Sequence, residues 1–190
     1  MPLQLIRSDD VALQPWRNGG GQTRELLAWP SAEQCDLRIA VADIAADGPF
    51  SSYEGTERWI VVLSGIGIAL AFNDGERELL RGDDPLCFDG ATAPGCRMLD
   101  GPTRDLNLMV RRGRGVMRPV RAGVAWTEAF AMRGVFTAEP GLWAARDETC
   151  VVPAMTLLRN EASDSAAWTF EHDNPQATTQ AWWLGFTPTV

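Results

Sequence analysis

Pro15-Trp16-Arg17-Asn18-Gly19-Gly20-Gly21-Gln22-Thr23-Arg24-Glu25 is the stretch on which the reading of this 190-residue chain turns. Three consecutive glycines suit neither a helix interior nor a well-packed strand, because glycine loses the most backbone entropy on folding and has nothing to pack. They suit a tight turn, or a place where backbone N–H groups must approach something closely. Asn18-Gly19 is a turn dipeptide, Trp16 is a large apolar anchor before it, and Thr23 to Trp29 reads as the strand after it. A plain surface loop and a ligand-facing loop both satisfy these residues.

Outward from that turn the chain reads as short strands. Leu3 to Arg7 is one, followed by Ser8-Asp9-Asp10, which can cap a brief helical turn. Arg24 to Trp29 alternates poorly. Asp36 to Ile44 alternates well, with Leu37, Ile39 and Val41 on one face and Arg38, Ala40 and Ala42 on the other. Trp59 to Leu63 and Ile66 to Phe72 are apolar runs joined by Ser64-Gly65, a hairpin signal. Asn73-Asp74-Gly75 and Arg81-Gly82-Asp83-Asp84-Pro85 are further turns, leading to Glu78 to Leu80 and Leu86 to Phe88. Arg104 to Arg111 alternates again. Only Thr127 to Met132 suggests a short helix. Trp182-Trp183-Leu184-Gly185-Phe186 reads as a final strand covered on both faces. Its tryptophans fit core packing more readily than a sugar platform, given the area each ring buries. Many short strands with Gly, Asp or Pro connections indicate a sandwich or barrel. Ile68 to Phe88 and Val135 to Val152 share one order of strands and turns, with Arg81 and Arg146 at matching places, as a duplicated architecture would.

Composition narrows the function. A 45% hydrophobic and 22% charged chain is ordinary globular material. A net charge of −8 and a pI near 4.7 argue against nucleic acid or an anionic membrane as partner. All 17 basic residues are arginine, which removes Schiff-base lysine chemistry and lysine–phosphate loops. The four cysteines, 35, 87, 96 and 150, lack CxxC spacing. Cys35, Cys87 and Cys150 sit in apolar strand-like runs, which suggests buried, reduced thiols in a cytoplasmic protein. Met1 to Asp10 does not resemble a signal peptide, and no run reaches the roughly 18 apolar residues of a membrane span.

The single histidine, His172, sits beside the turn Asp173-Asn174-Pro175 and reads as solvated. One imidazole cannot build a His-rich metal shell, and the acidic pairs Asp83-Asp84 and Asp43/Asp47 lack cation-loop spacing. No metal, no cofactor and no catalytic triad are therefore expected. Arg58, just before the apolar strand at 59–63, needs a counter-charge, and its fork suits a carboxylate. A surface pair with Glu57 or an Asp is the alternative. Arg38 invites a ligand or a salt bridge. Asp105, Asn107 and Met109 share one strand face. Asn107 must find partners if buried, either a ligand or the Gly19–Gly21 backbone.

Four segments resemble the HutD/Ves family. These are Pro-Trp-Arg-Asn-Gly-Gly-Gly-x-Thr-x-Glu at 15–25, Asp36 to Ala42, Gly48-Pro49-Phe50-Ser51 followed by Arg58, and Asp105-Leu106-Asn107-Leu108-Met109-x-Arg111-Arg112. Tyr53 and Glu54 depart from the family's Phe and Pro, Leu37 and Ala40 from its Trp and Ser, and Leu106 from its Phe. The resemblance implies an all-β fold of two cupin-type barrels (a bicupin) in one compact chain, the first over 1–112 and the second over 113–190, with strands exchanged between the halves. It implies a binding protein that modulates histidine utilisation. Its ligand would be a small carboxylate such as urocanate, a formylated or formiminated glutamate, or formate. Arg58 would clamp that carboxylate, assisted by the backbone of Asn18, Gly19, Gly20 and Gly21 and by Asn107, within walls that include Trp16 and Phe50. The rival readings are a metal-free isomerase or hydrolase using Glu25 or Asp105, and an interaction scaffold or homodimer through Trp182-Trp183.

Overall fold

A computed structural model describes residues 3–16, 19–32, 35–161, 166–173 and 180–188. In chain order the strands are β1 (Gln4–Arg7), β2 (Gln14–Pro15), β3 (Gly21–Pro30), β4 (Cys35–Ile44), β5 (Gly48–Pro49) and β6 (Thr56–Ser64). Next come β7 (Gly67–Phe72), β8 (Gly75–Leu80), β9 (Leu86–Asp89), β10 (Gly95–Met98) and β11 (Thr103–Arg111). The rest are β12 (Gly115–Pro119), β13 (Met132–Thr137), β14 (Gly141–Ala145), β15 (Glu148–Val152), β16 (Thr156–Asn160), β17 (Trp168–His172) and β18 (Ala181–Phe186). Among the described residues the one helical element is the 3-10 turn Ser8–Asp10, and no helix is long and apolar enough to cross a membrane. The helix expected at Thr127 to Met132 does not form. Residues 127–131 take no regular secondary structure after the isolated bridge between Trp126 and Trp168, and Met132 opens β13.

The strands make two compact units, Val11–Gly113 and Met1–Asp10 with Arg114–Val190. In the first, a six-stranded sheet β2-β3-β4-β11-β6-β9 faces a four-stranded sheet β5-β10-β7-β8. Ile44, Ile60 and Val62 from one sheet pack with Ile68, Leu70, Leu79 and Cys96 from the other. In the second, a five-stranded sheet β1-β16-β13-β18-β12 faces a three-stranded sheet β15-β14-β17. Its core joins Val135, Leu158 and Trp183 to Trp143, Val152, Trp168 and Phe170. Each expected barrel is thus a cupin-like pair of antiparallel sheets and not a continuously hydrogen-bonded cylinder. The N-terminal strand pairs with β16, Leu5 opposite Leu158, so the first ten residues belong with the second half.

The internal repeat is real, but its frame differs from the sequence reading. β6 lies between β11 and β9 as β13 lies between β18 and β16, and β7 lies between β8 and β10 as β14 lies between β15 and β17. The turn at Arg146 therefore corresponds to Asn73-Asp74, and Arg81 has no arginine counterpart. Short hairpins with Gly, Asp and Arg turns look alike in sequence, so the match slipped by one strand. Ser64-Gly65 is likewise no hairpin. β6 and β7 belong to different sheets, and these residues carry the chain across the corner, with Gly65 at φ 88°.

Trp183 is 3% exposed and stacks on Trp126 at a centroid distance of 5.3 Å. Trp183→Ala is expected to lower the unfolding free energy by about 3–5 kcal/mol in urea titrations, and a loss below about 1 kcal/mol would contradict this account of the core.

Candidate functional site

Alternation in three neighbouring strands builds the site. On β4, Leu37, Ile39 and Val41 are buried on one face, which turns Arg38, Ala40 and Ala42 to the other. Register then places Glu25, Ala40, Asn107 and Ile60 in one row across β3, β4, β11 and β6. Thr23, Ala42, Asp105 and Val62 make the next row, and Arg38, Met109 and Arg58 lie in the row on the other side. The poor alternation of β3 has a structural cause. Its register shifts between Glu25 and Leu27, leaving Leu26 as the extra residue of a bulge while Thr23 and Glu25 keep facing the alanines.

The two alanines leave room above them. A cleft of about 490 Å³ opens there, lined among others by Trp16, Thr23, Glu25, Arg38, Phe50, Tyr53, Arg58, Asn107 and Met109. Arg58 is 6% exposed. Its Nε and Nη2 both donate to Asn107 Oδ1, at 3.0 and 2.7 Å, and its guanidinium carbon sits 4.1 Å from the Phe50 ring centre. Among the described residues no carboxylate ion-pairs with it, so the surface pair with Glu57 is not formed. Burial pulls the Arg58 pKa down to about 10, against the opposing charges of Tyr53, Asp105 and Cys96, which leaves it cationic at neutral pH. Arg38 takes the salt-bridge alternative, its Nε 2.8 Å from Glu25 Oε2, and its guanidinium lies 5.8 Å from the Tyr53 ring centre.

Trp16, Phe50, Arg58 and Asn107 therefore meet at one cleft, as the sequence reading expected of a site. Gly19, Gly20 and Gly21 are not among its lining residues, and Asn18 and Arg17 lie outside the described residues. The glycines act on the wall instead. Gly19 N–H donates to the Trp16 carbonyl at 3.0 Å, Trp16 N–H to the Gly21 carbonyl at 2.9 Å, and Gly20 accepts from Ala45 and Ala46. A Cβ on Gly21 would overlap the Asp43 carbonyl oxygen and the Trp16 ring, so only glycine lets Trp16 seat there. Trp16 Nε1 then donates to Thr23 Oγ1 at 2.6 Å. Asn107 satisfies its amide oxygen with Arg58 and not with the glycine loop.

Beneath the lining lies Asp105. It is fully buried, and neither carboxyl oxygen has a hydrogen-bond partner among the described residues. Burial pushes its pKa up to about 8, with Arg58 opposing and Asp43 adding to the rise. Cys96, also buried, has its thiol pushed up to about 12 by burial, Asp105 and Asp47. It is the buried cysteine of the four, whereas Cys87 is exposed. In the other unit, His172 is not solvated as expected. It continues the inward face of Trp168 and Phe170, packs edge-on to Phe170, and has both ring nitrogens buried. Trp182 and Trp183 are core residues and offer no surface platform.

Residues 8–179 match the HutD family profile. A Pseudomonas putida protein named "Uncharacterized 21.2 kDa protein in hutC 3'region" is 38% identical over 110 residues, 56% of this chain and 57% of that one. Protein Ves of Citrobacter koseri is 32% identical over 135 residues, covering 70% of this chain and 71% of its own. The structure of HutD from Pseudomonas fluorescens SBW25, described for a formate condition, superposes with a TM-score of 0.84 at 24% identity, over 100% of both chains. A cupin 2 barrel domain protein of Leptotrichia buccalis shares the fold more distantly, with a TM-score of 0.56 at 10% identity over 97% of this chain and 96% of that one.

The Asp105 pKa stands above the ~3.9 of an unfolded aspartate. Its contribution to stability is therefore full below about pH 4 and is lost as pH rises through about 8. Unfolding free energies measured from pH 5 to 8 should fall more steeply for the wild type than for Asp105→Asn, and parallel profiles would contradict the assignment.

Proposed function

The chain belongs to the HutD family, and on that premise we propose that the cleft of residues 11–113 binds a small carboxylate metabolite anchored by Arg58. One observation carries this reading. Arg58 is a buried guanidinium at the cleft wall whose nearest polar partner, the Asn107 amide, is neutral. A buried charge without a countercharge is costly, and an entering carboxylate supplies one in the bidentate geometry the fork prefers. Asn107 holds the fork in place before the ligand arrives, which lowers the ordering cost of binding. Trp16, Phe50 and Met109 provide apolar walls, and Glu25, held by Arg38, lies on the far side of Ala40. The name of the Pseudomonas putida relative, which refers to the hutC region, supports a role in modulating histidine utilisation. The ligand would then be urocanate, a formylated or formiminated glutamate, or formate itself.

The second reading is a metal-free isomerase or hydrolase, and the raised pKa of Asp105 favours it. Its carboxyl, however, is not among the cleft-lining groups, and Glu25 is engaged by Arg38. Binding without turnover is the better account.

Thermal unfolding with urocanate, N-formylglutamate, formiminoglutamate and formate tests the proposal. At a hundredfold excess over Kd, a ligand specific for the folded state adds about 2.7 kcal/mol of stability. The wild type should gain such a shift with at least one acid, and Arg58→Met should lose it while keeping a wild-type circular dichroism spectrum. Equal shifts in the two proteins would overturn the assignment of Arg58.

A further inference from the structure

We propose that Asp105 couples anion binding at Arg58 to the uptake of one proton, its own carboxylate competing with the ligand for the guanidinium charge. This rests on the carboxylate reading of the cleft and adds a regulatory link to it.

The geometry is that of an acid with no local means of bearing charge. Asp105 lies in register between Ala42 of β4 and Val62 of β6, neither of which has a donor to offer. Both carboxyl oxygens are buried and lack hydrogen-bond partners among the described residues. Two positions along the same inward face, Asn107 grips Arg58. The acid and the guanidinium thus lie on one sheet face, two rows apart, with no direct bond between them. The charged and titratable groups around Asp105 come from four neighbouring strands. β6 supplies Arg58 and β10 supplies Cys96. β4 supplies Asp43, itself tied to Arg24 and Arg104. β3 adds uncharged Thr23 in the same row and Glu25, paired with Arg38, in the next. Arg58 is the cation here that acts on Asp105 without a carboxylate partner of its own among the described residues, since Arg24, Arg104 and Arg38 are each paired.

Two states follow. With a proton on Asp105, Arg58 keeps its full attraction for an incoming anion. Without it, the Asp105 carboxylate supplies the countercharge from inside, and a second anion must enter a space already neutral. Written as a balance, ionised Asp105, a ligand carboxylate and one proton give a complex in which Asp105 is the neutral acid. No bond other than O–H forms. Burial sets the midpoint of this exchange in the free protein near pH 8, so affinity should be level below that pH and fall above it by up to tenfold per unit.

Formate is the probe. Its affinity is measured by amide NMR titration between pH 6.5 and 9.0 at constant ionic strength, for the wild type and Asp105→Asn. The wild type should lose about five- to tenfold in affinity between pH 8 and 9, and Asp105→Asn should change less than twofold. A level wild-type profile, or an equal fall in both proteins, overturns the coupling and leaves the carboxylate site standing. If neither protein binds formate at any pH, nor gains a thermal shift with urocanate, N-formylglutamate or formiminoglutamate, the site reading falls and the coupling with it. Should Asp105→Asn fail to fold, calorimetry of formate binding to the wild type at pH 8 in two buffers of different ionisation enthalpy decides. Uptake of about half a proton supports the coupling, and zero uptake overturns it.

Discussion

A cation held out of water by an amide oxygen and aromatic rings is the constraint on which the first unit depends. Arg58 lies under Phe50, with Phe88 at 5.7 Å, and both its inner N–H groups point at one oxygen of Asn107. An ion pair would neutralise it, but among the described residues none does. The neighbouring arginines, by contrast, have carboxylate partners. Arg24 and Arg104 share Asp43, which burial would raise but whose pKa those two guanidiniums hold below the usual aspartate value. Arg38 has Glu25. The strand pattern thus neutralises the charges around the cleft and leaves one unneutralised within it.

The second unit shows what the same scaffold does when its interior is filled. On β13, the strand equivalent to β6, Arg133 is also fully buried. It lies 4.6 Å from the Trp126 ring centre and 4.5 Å from that of Trp168, and it donates to the carbonyls of Ala166 and Trp126. Trp126, Trp143, Trp168 and Trp183 stack into the space around it. One buried arginine is locked by indoles and backbone oxygens. The other faces Ala40 and Ala42, whose small side chains leave a cleft. Side-chain volume at a few inward positions separates a packed interior from a receptive one.

Much of this was legible in the chain. Period-two alternation over 36–44 and 104–111 assigned each residue to a face, and that assignment put Asp105, Asn107 and Met109 together correctly. Turn residues marked the strand ends. Alternation failed where an extra residue entered, at Leu26, because a bulge resets the period without any sequence mark of its own. The turn residues beside His172 suggested solvent, although its place on the strand is inward. The hairpin expected at Ser64-Gly65 failed for a different reason: a short Gly-containing link serves equally to reverse a strand or to pass it to another sheet.

By itself, then, the sequence determined an all-β architecture, the faces of its strands, and the grouping of Asp105, Asn107 and Met109 on one of them. These follow from local rules in which each residue's neighbours suffice. Tertiary structure decided the rest. It set which strands pair, the frame of the repeat, the placing of β1 with the second unit, and the meeting of Arg58 with Asn107 across 49 residues. It also decided that Arg58 would lack a carboxylate partner while Arg38 found one. Pairing register and burial are properties of distant segments brought together, and a charge's partner is known only when the space around it is closed.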